Sequence, residues 1–130
     1  MSTSMVSRAQ AAPTTVPAAA DRLTELKLER VNLCRMLVQR QKEQRAVGAV
    51  ISTADQLNAV LRLADAEADL ACTPEARAQA YDAALLLMRD HENELRALFG
   101  RGLVSQADID DSRLNTIDLQ IRVERLRRGE

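Results

Sequence analysis

Two interruptions of the same design constrain this chain more than any other feature. Gly48-x-Val50 is followed by Ser52-x-Ala54-Asp55, and Gly102-x-Val104 is followed by Ser105-x-Ala107-Asp108, at a spacing of 53–54 residues. Glycine ends a helix because it enters the left-handed region without a Cβ penalty. A serine with an acid three residues on has the spacing of a capping box, in which the hydroxyl accepts an amide proton of the first turn. Each interruption therefore predicts one helix stopping and another starting. At the same offset Leu61 and Asp65 fall on Leu114 and Asp118, while Val31 and Leu33 fall on Leu85 and Leu87. The pattern predicts two copies of helix–break–helix, residues 21–72 and 73–128, joined at Cys72-Thr73-Pro74. One copy cannot bury its own apolar face, but two can cover each other. The fold expected is all-α, a four-helix antiparallel bundle or an elongated coiled coil.

Composition supports helices over sheets. The chain has 130 residues, enough for one compact domain. Its 46% hydrophobic content includes only Tyr81 and Phe99 as aromatics, and four glycines with three prolines give too few turns for many short strands. Residues 1–20 are rich in Ala, Ser, Thr and Pro and carry the single charge Arg8. They read as a disordered tail, because Pro13, Thr14, Thr15 and Pro17 interrupt any continuous apolar stretch of a secretory leader. No window reaches the roughly 18 uninterrupted apolar residues of a membrane span.

Within the first helix Leu23, Leu26, Leu33, Met36 and Leu37 recur at three- and four-residue steps, with Arg30 and Arg40 between or after them. The stretch 39–45 has no apolar residue and reads as a solvated helix end. Ser52 with Asp55, or Thr53 with Gln56, begins the second helix, which carries Leu57, Val60, Leu61, Ala64, Ala68 and Ala71 on one side. So many alanines let a neighbouring backbone come close. Thr73-Pro74-Glu75 starts a third helix, with threonine as cap, proline at the first helical position and an acid in the first turn. Ala80, Tyr81, Ala84, Leu85, Met88, Leu95, Leu98 and Phe99 line it. The fourth helix carries Ile109, Ser112, Thr116, Leu119, Val123 and Leu126, beside a second stripe of Leu114, Ile117 and Ile121. A face this wide is expected to touch two neighbours. Leu114, Ile117, Leu119, Ile121, Val123 and Leu126 are its candidate packing residues.

Chemistry is thinly represented. Lys and Arg total 18 against 19 Asp and Glu, a net charge of −1, so no bulk field attracts nucleic acid or anionic lipid. Cys34 and Cys72 stand apart and His91 is the one histidine, which excludes the usual zinc site within a chain. Both cysteines read as small buried hydrophobes, with a disulfide open only if their helices are neighbours in an oxidising compartment. Asp108, Asp110 and Asp111 read as first-turn acids facing the helix dipole, without the glycine turn and distal glutamate of an EF-hand. His91, between Asp90 and Glu92, reads as solvated or ion-paired. Arg122, Arg125, Arg127 and Arg128 read as cations at a helix C-terminus. No catalytic, cofactor or metal residue is expected.

The second interruption carries a family likeness. Leu98-Phe99-Gly100-Arg101-Gly102-Leu103-Val104-Ser105-Gln106-Ala107-Asp108-Ile109, followed by Ser112-Arg113-Leu114 and Asp118-Leu119, resembles the helical repeat of TolC-type outer-membrane efflux proteins. The first interruption is a fainter version, with Val47 near the aromatic position. The resemblance implies a coiled-coil module similar to that family's trimeric periplasmic tunnel. It implies no whole channel, since no strands for a barrel are predicted and the chain is shorter than the two-repeat subunit. The function expected is a non-enzymatic structural or assembly module that self-associates through helices. The alternative is a cytoplasmic helical adaptor for another protein's helix. An envelope location follows from the resemblance, a cytoplasmic one from the lack of a leader pattern. More remotely, Leu33…Leu37…Arg40…Val47-Gly48 resembles the first helix of all-helical chorismate mutases. There, the resemblance implies, Arg and Lys bind two carboxylates. Only Lys27 and Lys42 are present here, and neither follows the valine.

Overall fold

The structure, a computed structural model, describes residues 18–130, with side chains from Asp21 onward. It is all helical among those residues: α1 (Ala18–Ala46), α2 (Thr53–Leu70), α3 (Pro74–Gln79), α4 (Asp82–Gly100) and α5 (Gln106–Arg127). The expected tail, residues 1–20, lies outside the described residues except for its last three. Ala18–Ala20 already belong to the first turn of α1.

Both corners are built by their glycines and serines. Gly48 has φ 95° and Gly102 φ 72°, left-handed values that side-chain-bearing residues rarely adopt. At the first corner the Gly48 N–H donates to Arg45 O and the Ala49 N–H to Gln44 O. At the second the Gly102 N–H donates to Phe99 O and the Leu103 N–H to Leu98 O. Each pair of bonds is a Schellman closure, which satisfies carbonyls the helix leaves over. Gly129 repeats it at the end of α5. Ser52 Oγ then accepts from the Asp55 N–H, and Ser105 Oγ from the Asp108 N–H. The Asp108 carboxylate returns the favour to the Ser105 N–H at 2.9 Å, completing a capping box. Thr73 caps α3 through the Ala76 N–H, with Pro74 at its first helical position.

The helix order makes α2 the hub. α1 runs antiparallel to it and makes its extensive contacts with it. α4 returns along a second side of α2, and α5 lies antiparallel to α4 and touches α3. The core is Ala64 and Ala68 of α2, Ala78 of α3, Tyr81, Ala84 and Met88, and Leu119 and Val123 of α5. Its alanines let the backbones approach closely, so burial is dense although few large side chains take part. A separate patch of Val31, Cys34 and Ala66, flanked by Leu63 and Leu70, joins α1 to α2.

Five expectations are corrected. The stripe of Leu23, Leu26, Leu33, Met36 and Leu37 does not face the bundle; all five are exposed, and Val31 and Cys34 are buried instead. The cause is the partner surface. Ala66 on α2 leaves room for small side chains only, and ion pairs on both flanks hold that rotation. Arg30 and Lys27 reach Asp69 at 2.6 and 3.7 Å on one side, and Arg35 reaches Glu67 at 3.2 Å on the other. The expected third helix is two, because the Tyr81 N–H bonds back only to Ala78 O, three residues earlier. No glycine or proline marks this kink. On α5, Leu119 and Val123 are buried and Leu126 is half-buried, but Leu114, Ile117 and Ile121 are exposed. The wide face therefore divides into a packed stripe and an open one. Phe99 is exposed near the second corner. Cys72, in the link from α2 to α3, is exposed as well, and both cysteines are free.

Candidate functional site

The sequence-predicted corner residues Gly48, Ser52, Asp55, Gly102, Ser105 and Asp108 serve the chain's own backbone, as described above. They come to one end of the bundle, where Ala54 and Asp108 line a common cleft with Asn58, His91, Asp111 and Ser112. His91 is half-buried at this cleft, and its Nδ1 has no hydrogen-bond partner among the described residues. Packing between α4 and the start of α5, not its position between Asp90 and Glu92, sets its surroundings.

Sequence reasoning missed the polar cluster on the side of α2 that separates α1 from α5. The Tyr81 hydroxyl donates to Asp65 Oδ1 at 2.6 Å. Arg122 donates to the same oxygen at 2.7 Å, and its guanidinium lies 4.6 Å from the Tyr81 ring centroid. Burial, the bond to Asp65 and the Asp65 charge raise the Tyr81 pKa above the usual phenol value; the Arg122 charge and hydrogen bond oppose them. Arg122 thus pairs across the molecule instead of resting on its own helix end. Arg127 approaches Glu75 of α3, while Arg128 approaches Glu124 one turn back on α5 itself. Arg77 donates to Ala71 O. The groove lined by Arg30, Arg77, Arg122 and Tyr81 therefore has its arginines engaged by groups of the chain itself. One signal was available: Asp65 and Asp118 match in the repeat, and only Asp65 has a buried tyrosine opposite it.

An open apolar site lies on α1. Leu26, Leu33, Met36 and Leu37 wall a groove of about 420 Å³, with Arg62 of α2 on its far side and Arg40 at one end. Arg40 and Arg62 are exposed, and neither is ion-paired among the described residues. Apolar side chains left open beside uncommitted cations make a surface suited to a helix carrying leucine-like residues and acids. The groove offers shape and charge to a partner. It assembles no nucleophile–base pair. No helix in the described residues is long and apolar enough to cross a membrane.

Comparison with known proteins finds no family model, no curated protein and no solved structure that matches this chain.

Proposed function

We propose that this chain is a non-enzymatic helical association module that works by presenting α1 to another helix. The observation that carries this reading is the double-sided character of α1. Val31 and Cys34 anchor it on α2, while a second apolar stripe, with Leu33 53% exposed, is left uncovered. Leaving this many leucines in water on one face costs free energy at roughly 25 cal/mol per Å², which a docked helix recovers. At this level the reading agrees with the TolC-type likeness, which implies a helix that assembles with others. The compact three-helix core beneath α1 is what distinguishes it from a tunnel wall built of long rods alone.

The test is association. Light scattering and sedimentation across a wide concentration range should show mass rising with concentration, and Leu33→Glu should abolish the rise without lowering helical content. A wild-type chain that stays monomeric throughout, and whose Leu33→Glu variant behaves identically in pull-downs from its own cells, overturns the reading. The same face serves the adaptor alternative, in which the docked helix belongs to a different protein. Fractionating the native chain separates the settings: a cytoplasmic pool defeats the envelope version, and an envelope pool defeats the cytoplasmic adaptor.

A further inference from the structure

The open stripe on α1 has a counterpart elsewhere on the same chain. Leu114, Ile117 and Ile121 lie exposed at three- and four-residue steps along α5. Asp110 and Asp118 flank them, exposed and without an ion-pair partner among the described residues. The first surface is apolar with Arg40 and Arg62 outside any ion pair, beside Glu29; the second is apolar with Asp118 and with Asp110, whose carboxylate accepts one hydrogen bond, from Gln106. We propose that the two dock between copies of this chain, α1 of one molecule taking the outer face of α5 of the next, antiparallel. This rests on the self-association reading above and names the partner surface.

The register follows from the spacing. Leu33 and Arg40 are seven residues apart, as are Ile117 and Asp110, and each interval spans about 10 Å along a helix. With Leu33 level with Ile117, an antiparallel arrangement brings Met36 against Leu114 and Arg40 against Asp110. Opposite charges then meet at the end of an apolar seam, the arrangement that fixes register and suppresses wrong pairings. A parallel arrangement in the same apolar register leaves Arg40 beyond Ile121, beside Glu124 and the arginines at the end of α5. Because the two surfaces differ, the contact is head-to-tail: each molecule keeps one free donor and one free acceptor surface, so assembly continues into a ring or a filament.

The distinguishing experiment uses two full-length variants, Leu33→Glu to block the α1 stripe and Ile117→Glu to block the α5 stripe. Both positions are exposed, and circular dichroism with thermal melting checks that each variant folds. Sedimentation should show wild-type chains growing past dimer, each variant alone monomeric, and the equimolar mixture stopping at a one-to-one dimer, since each supplies the surface the other lacks. Arg40→Glu should weaken association about tenfold, and combining it with Asp110→Arg should restore it. If the wild type associates but Ile117→Glu associates equally well, the head-to-tail partner is wrong while self-association stands. If the mixed variants stay monomeric although the wild type assembles, the proposal is overturned in the same way. A wild type that never associates overturns both readings.

Discussion

Ala66 and Ala84 are both alanines sealed from solvent, at 1% and 0% exposure, yet they should fail differently when enlarged. Ala66 faces Val31 and Cys34 of α1, and Ala84 sits in the core shared by α2, α4 and α5. Leucine at either site adds three carbons where no room exists, which costs about 1–3 kcal/mol when the surroundings must shift. For Ala84→Leu the whole three-helix core must give, so the cost falls on global stability. For Ala66→Leu a cheaper escape exists. Val31 is the largest side chain buried at the α1 seam, and its burial contributes about 1.5–3 kcal/mol, the same size as the strain. The expected response is that α1 lifts away while α2 to α5 remain folded. Hydrogen exchange resolves the two cases. Ala66→Leu should raise exchange rates within residues 21–46 and leave the α4 and α5 amides as protected as in the wild type, whereas Ala84→Leu should lower protection throughout. Uniform loss of protection in Ala66→Leu would show that α1 belongs to the cooperative core, and the reasoning from its one-sided packing would fail.

Tyr81→Phe removes the hydroxyl bond to Asp65 and should cost about 1 kcal/mol at neutral pH, read from denaturant midpoints. Because burial and Asp65 raise the folded phenol pKa, that residue's stabilisation is full below the unfolded value of about 10 and drains away as pH rises above it. The gap in melting temperature between wild type and Tyr81→Phe should therefore narrow above pH 10; a constant gap would refute the linkage. Gly102→Ala has open space for its methyl group, so its cost, about 1 kcal/mol, should come only from the left-handed backbone, while Gly100→Ala, within the helix, should be neutral or stabilising in the same melts. Ser105→Ala should destabilise by about 0.5–2 kcal/mol through loss of the α5 cap. Chorismate should be neither turned over nor able to raise the melting temperature; turnover would remove the non-enzymatic reading.

The helices and corners were legible because their signals are local. A glycine, a serine and an acid within seven residues carry their own hydrogen bonds wherever the helices later pack, and Thr73-Pro74 acts the same way. Rotation about each helix axis was not legible. α1 offers leucines at helical steps, and periodicity alone assigns them to the interior. The choice is made by Ala66 and the carboxylates of Glu67 and Asp69 on a helix more than thirty residues away. The kink before Tyr81 was hidden for the same reason, since the tyrosine's partners, Asp65 and Arg122, are brought to it by tertiary packing. At the candidate surface, the residues of the α5 stripe were identified, but their exposure depends on how many neighbours α5 has, a property of the assembled bundle.

The two thiols give the molecule an internal clock. Cys72 stands exposed in the link and should react first with an alkylating reagent, while Cys34, on α1, is buried against Ala66 of α2. The lag between the first and second label then measures how often the first helix leaves its seat. A helix bound in the leucine groove, which Cys34 also lines, should lengthen that lag.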